Sequence, residues 1–93
     1  MEVLHLDDKK NGKFFISEGS KVLAEMTYVW AGEDKIIIDH TDVKPELNGK
    51  GAGKQLLFKA VEFARTNKIK IIPLCPFAKS MFDKLEEIRD VLA

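Results

Sequence analysis

Val22, Ala24, Met26, Tyr28 and Trp30 recur at every second position, with Glu25 and Thr27 between them. An extended chain sends alternate side chains to opposite faces, so this spacing predicts a strand over Val22 to Trp30 with one apolar face. Lys13 to Ser17 and Lys35 to Val43 are similarly rich in β-branched and aromatic residues and read as two more strands. Turn signals at Asn11-Gly12, Glu18-Gly19-Ser20 and Ala31-Gly32-Glu33-Asp34 separate these pieces, and such close spacing implies an antiparallel meander. Met1 to Leu6 is a candidate for one further strand outside that count. The period then changes. Leu57, Ala60, Val61 and Ala64 form a helical stripe flanked by Leu56 and Phe63, while Lys54, Lys59, Glu62 and Arg65 point largely away and Phe58 has no evident place. Ile69 to Leu74 reads as a strand, and Pro76 opens a second helix with Phe77 or Ala78, Met81, Phe82 and Leu85 as its apolar side. The expected order is β-β-β-α-β-α, an α/β (α+β) fold with a mixed, mainly antiparallel sheet and two helices. The helix over Gly53 to Thr66 crosses between Ile36–Val43 and Ile69–Leu74, which makes those strands parallel neighbours with a right-handed connection.

Ninety-three residues fit one domain, 1–93, with a modest core. Lys+Arg and Asp+Glu balance at 15 each, but residues 44–70 hold seven basic residues against Glu46 and Glu62. A neutral chain with its positive charge gathered there suits a small polyanion better than duplex DNA, and no aromatic–basic stripe is present for single strands, so no nucleic-acid partner is expected. No apolar run approaches the roughly 20 residues of a membrane span, and Met1 to Lys10 lacks a signal-peptide core, so a cytoplasmic protein without membrane association is the expectation. One cysteine allows no internal disulfide, and His5 and His40 show no metal-ligand spacing, so no metal is expected.

The charged segment contains Leu47-Asn48-Gly49-Lys50-Gly51-Ala52-Gly53-Lys54, a glycine-rich turn from strand to helix. Such a turn aims free N–H groups and the positive end of a helix dipole at one point, where a phosphate or pyrophosphate fits. It is not a Walker A loop, since Lys54 precedes Gln55 rather than Ser or Thr, and it misses the dinucleotide fingerprint. The alternative is a tight turn that lets a helix pack closely. Cys75 ends a strand directly before a helix, where the dipole favours a thiolate; the alternative is an inert core thiol. His40 shares a period-two face with Ile36, Ile38 and Asp42 and can serve proton transfer near neutrality, or sit buried against a carbonyl. Asp39 and Thr41 fall on the other face and read as packing or backbone-bonding residues. Pro73, lacking an N–H, belongs where strand pairing fails.

Asn48-Gly49-Lys50-Gly51-Ala52-Gly53 resembles the acetyl-CoA pyrophosphate loop of the GNAT acetyltransferase superfamily, Arg/Gln-x-x-Gly-x-Gly/Ala, with Asn48 where the family has Arg or Gln. With Asp39-His40-Thr41-Asp42-Val43 and Ile71-Ile72-Pro73-Leu74-Cys75-Pro76-Phe77-Ala78, the likeness is to the minimal, YjdJ-type branch and spans residues 13–92. The resemblance implies a reduced GNAT-like acyltransferase fold whose two central parallel strands splay apart around the pantetheine arm of coenzyme A. Asp42, Val43 and their neighbours would then hold that arm, and Asn48, Gly49, Lys50, Gly51, Ala52 and Gly53, with Lys54, the pyrophosphate. Lys79 and Ser80, in the first turn of the last helix, are further candidate contacts. It also implies Cys75 as acetyl acceptor, because Tyr28 lies too early to be the acid of the final helix; His40, on the strand that borders that of Cys75, can by its position deprotonate either the thiol or the incoming amine. The interval from Leu6 to Lys13 is too short for the two helices that full-sized members insert, so the acceptor side should be open. A protein, peptide or small amine, or a substrate at an oligomer interface, suits it. The implied activity is acetyl-CoA-dependent N-acetyl transfer; a CoA-binding sensor module and a slow thioesterase are the alternatives.

Overall fold

The computed structural model describes residues 1–93 and contains five strands and two α-helices: β1 (Leu4–Asp7), β2 (Asn11–Glu18), β3 (Lys21–Trp30), β4 (Lys35–Val43), α1 (Ala52–Asn67), β5 (Lys70–Pro73) and α2 (Pro76–Lys84). Short 3₁₀ turns lie at Pro45–Leu47 and Glu86–Val91. The candidate N-terminal strand is real, so the order is β-β-β-β-α-β-α. The sheet runs β1-β2-β3-β4-β5, antiparallel except for the β4–β5 pair that α1 bridges. No helix is long and apolar enough to cross a membrane.

All the helical cover lies on one side of the sheet. Phe14, Ile16, Ala24, Met26, Tyr28, Ile36, Ile38 and Ile71 are buried there, under Leu56, Leu57, Ala60, Val61 and Ala64 of α1 and Ala78 and Phe82 of α2. Truncating a side chain such as Leu57, which is fully enclosed, to alanine costs about 2–5 kcal/mol. On the opposite face, Phe15, Val29, Ile37 and Ile72 are only half-buried and do not join the core.

Two one-residue bulges set which side chains reach that core. In β3, Ile16 pairs with Ala24 but Ser17 with Val22, leaving Leu23 as the extra residue. In β4, Thr27 pairs with His40 but Tyr28 with Ile38, leaving Asp39 extra. A bulge reverses the alternation beyond it. Val22 therefore leaves the apolar face predicted for it, and the buried residue is Leu23.

β1 is pinned by side chains. The His5 ring stacks on Phe14 at 4.2 Å and meets Phe63 edge-on at 4.7 Å. His5 Nε2 donates to the Tyr28 hydroxyl at 2.6 Å, and that hydroxyl donates to Asp7 Oδ2 at 2.5 Å. Trp30 Nε1 donates to the same oxygen at 2.8 Å. Burial lowers the His5 pKa, against the pull of the Asp7 charge. Burial raises that of Tyr28, helped by Asp7. For Asp7, burial pushes upward but is outweighed by the bonds from Tyr28, Trp30 and the Lys9 amide, so its carboxyl lies below the ordinary range.

Candidate functional site

The β4–β5 ladder matches Lys35 to Lys70, Ile36 to Ile71, Ile37 to Ile72 and Ile38 to Pro73, and there it stops. The Ile38 carbonyl accepts from both the Leu74 and Cys75 amides, each at 3.0 Å. Past that point β4 runs on through Asp39 to Val43 with β3 as its only neighbour. Pro73 has no N–H to continue the ladder, and α2 begins three residues later and carries the chain away. The Lys44 amide bonds the Leu23 carbonyl at 2.8 Å. In an antiparallel pair the main-chain groups alternate between partner and opposite side. Those of His40 and Asp42 therefore serve β3, while those of Thr41 and Val43 face the gap.

At the end of this gap the chain turns through Pro45–Leu47 into the glycine loop. Gly49 and Gly51 have φ of 76° and 71°, the left-handed region in which a Cβ is strained. The Asn48 and Lys50 amides are spent inside the turn, on the carbonyls of Pro45 and Leu47. The amides of Gly49, Gly51, Ala52, Gly53 and Lys54 bond no protein group. The first turn of α1 holds no acidic residue, so its dipole meets no negative charge there. Gly53 has a different role: a Cβ on it would stand 2.8 Å from the Phe77 ring, so its smallness lets α1 and α2 meet. Close helix packing is thus the role of Gly53, and the left-handed turn that of Gly49 and Gly51. Thr41, Val43, Leu47, Asn48, Gly49, Gly51, Ala52, Gly53, Lys54 and Phe77 line a groove of about 320 Å³.

Cys75 closes the inner end of this arrangement. It is buried, at 4% exposure, and its Sγ donates to Thr41 Oγ1 at 3.3 Å. It does not line the groove; Thr41 lies between the two.

A family model described as GCN5-related N-acetyl-transferase matches residues 13–91. A GCN5-like protein from Staphylococcus aureus, solved by NMR, is 42% identical, with 99% of this chain and 87% of that one covered and a TM-score of 0.79. The chain is a member of the GCN5-related N-acetyltransferase (GNAT) family. The fold alone is shared with a ribosomal-protein-alanine N-acetyltransferase from Brucella melitensis (18% identity, 92% and 64% covered, TM-score 0.64). The same holds for a possible acetyltransferase from Clostridium difficile (18% identity, 86% and 60% covered, TM-score 0.66). The chain spans less than two thirds of either of these two. No curated protein matches it.

Within this GNAT domain, seven of the expected cofactor contacts line the groove: Val43, Asn48, Gly49, Gly51, Ala52, Gly53 and Lys54. Asp42, Lys50 and Lys79 do not. The Asp42 main chain is committed to β3 and its carboxylate pairs with Lys44 at 3.5 Å on the far face. Lys50 and Lys79 are exposed, each without a carboxylate partner. His40 corrects an expectation. The Asp39 bulge separates it from the face of Ile36 and Ile38 and puts it with Asp42 on the uncovered side of the sheet. Thr41, expected to point away, is instead the residue beside Cys75. Thr41, Leu47 and Phe77 complete the groove; only the bulge reveals the first, while the other two fell within the quoted glycine-loop and Cys-Pro-Phe-Ala segments without a role of their own in the site.

Proposed function

We propose that this GNAT protein binds acetyl-CoA in the β4–β5 gap and transfers its acetyl group to an amine. The observation that carries this reading is the ladder ending at Ile38 and Pro73 beside a loop with five unpaired amides. The residues fit the coenzyme: the free loop amides of Gly49, Gly51, Ala52, Gly53 and Lys54 suit its diphosphate, and the Thr41 and Val43 main chain suits the amides of its arm. Bound there, the thioester supplies an activated acetyl group.

Cys75 is the proposed first acceptor. Its Sγ takes the acetyl group and gives up its proton, so that CoA leaves as the thiol. An amine then displaces Sγ, which regains a proton, and leaves as the amide. Thr41, bonded to the thiol, orients Sγ and can accept from it as the S–H bond breaks. His40, on the uncovered face, is assigned to the proton of an amine arriving from that side rather than to the thiol. The acceptor is a protein, peptide or small amine, since no helix covers that face.

Burial of Cys75 and the separation of His40 from it favour a second reading, a CoA-binding module without turnover. Titration with acetyl-CoA followed by backbone amide resonances, then intact-mass measurement, tests both. Shifts centred on Thr41, Val43 and Gly49 to Lys54 with an acetyl adduct on Cys75 support the transferase. The same shifts without an adduct, and without acetylation of any added amine, support the binding module. No shifts at all would remove both.

A further inference from the structure

The uncovered face of the sheet carries a trough of about 540 Å³ that crosses from the β1–β2 hairpin to the bulge of β4. Its middle is apolar. Leu6, 57% exposed, and half-buried Val29 wall it, with the aliphatic stem of Lys13 alongside. A carboxylate stands at each end, Asp8 in the hairpin and Asp39 in the bulge. The hairpin strand β1 and the bulged strand β4 are three inter-strand spacings apart, so the two carboxylates are separated by about 14 Å. Each is held by one oxygen. Asp8 Oδ1 accepts from the Lys10 and Asn11 amides, and Asp39 Oδ1 from the Thr27 hydroxyl; the second oxygen of each bonds no protein group. Neither has a cation within salt-bridge distance, Lys10 in the same hairpin included.

The other charges around the trough are engaged. Lys13 Nζ lies 3.7 Å from Glu25 and over the Phe15 ring, and Lys9 turns over Trp30. Both Asp7 oxygens are bonded, by Tyr28, Trp30 and the Lys9 amide. His40 adjoins Asp39 and stands opposite Thr27 in the register. An apolar channel between two uncompensated negative ends complements a run of methylenes with a cation at each end.

We propose that this trough binds a linear aliphatic polyamine, one terminal ammonium at Asp8 and the other at Asp39, beside His40. This names the acceptor and so rests on the transferase reading above, although the binding itself needs no coenzyme. His40 takes one proton from the ammonium at Asp39. The freed nitrogen displaces Cys75 Sγ from the acetyl carbon, and a second nitrogen proton passes to Sγ, leaving the acetylamide and the thiol.

Octanediamine and octylamine share a chain and differ by one cation, so titration of the full chain with each, followed by backbone amide resonances, tests the two-ended site. Shifts should centre on Leu6, Asp8, Val29 and Asp39, with octanediamine about fivefold tighter, the upper range for an exposed ion pair. Asp8→Asn and Asp39→Asn keep the bonded Oδ1 and remove the charge, so both variants should melt with the wild type and each should erase that ratio. With acetyl-CoA present, the wild type should acetylate spermidine, and Asp8→Asn should raise KM for it about fivefold with kcat kept. Equal affinity for the two probes in the wild type overturns the proposal, as does an unchanged ratio in both variants. Shifts at these residues on concentrating the protein alone would give the face to a second copy and overturn it too. Binding without acetylation of spermidine, in a protein that acetylates another amine, overturns the acceptor assignment and leaves the transferase reading intact. Acetylation of no amine at all overturns both.

Discussion

Cys75 Sγ and Thr41 Oγ1 lie 3.3 Å apart, joining residues 34 positions distant in the chain across the point where β4 and β5 separate. The hydroxyl is the one polar side chain bonded to the thiol, and it also faces the groove.

Thr41→Val keeps the shape and removes that partner. Stability should fall by about 0.5–1.5 kcal/mol, and acetylation of Cys75 should slow by about tenfold. Time-resolved intact mass measures the rate; an unchanged rate in a folded variant would show Thr41 to be a structural neighbour only.

His40 stands on the other face, so its removal should divide the reaction. His40→Ala should leave acetylation of Cys75 within about twofold and slow the release of acetyl to an added amine by about 10²-fold, the low end for general base catalysis. Single-turnover measurements of the two steps check this. Equal slowing of both would return His40 to the thiol.

Gly53→Ala forces a methyl into the Phe77 ring and should cost about 1–3 kcal/mol. Gly51→Ala meets no atom but strains a left-handed residue, costing about 1 kcal/mol. Adding Phe77→Leu should recover much of the loss for Gly53→Ala and none for Gly51→Ala. Thermal melts distinguish them, at about 4–8 °C per kcal/mol for a domain of this size.

His5 and Asp7 both hold depressed pKa values in the fold, so both favour folding at higher pH. The unfolded chain takes up a proton first in each case. Stability should decline as pH falls from the ordinary His5 value of 6.5 toward its lower folded value, then again below the ordinary Asp7 value of 3.8. Tyr28→Phe removes the hydroxyl that bonds both groups. It should cost about 1–3 kcal/mol and shrink the acid step of Asp7. Melting temperature against pH reads both effects; a flat profile between pH 7 and 5 would remove His5 from the account.

The glycine loop was legible because its requirements are local. A left-handed residue at Gly51 and orphan amides at the start of a helix follow from a few adjacent residues. The α1 stripe was legible for the same reason, since helical contacts repeat within a turn. The errors of face, at Val22, His40 and Thr41, all lie beyond a bulge. Whether an extra residue such as Leu23 or Asp39 is accommodated depends on the strand opposite, and neither residue carries a mark of it. Phe58 was legible only as an anomaly, because the hollow beside it, between α1 and the C-terminal 3₁₀ turn, is completed by Ile88 and Glu87 from the far end of the chain.

Composition, period and turn chemistry alone determined the kinds of element, their order after the first strand, the glycine-rich turn into α1 and the cysteine at the head of the last helix. Tertiary structure alone decided which side of β4 each side chain takes, and so that Thr41 rather than His40 meets Cys75. The physical reason is that one unpaired residue inverts an alternation of period two, and only the register with β3 places that residue at Asp39.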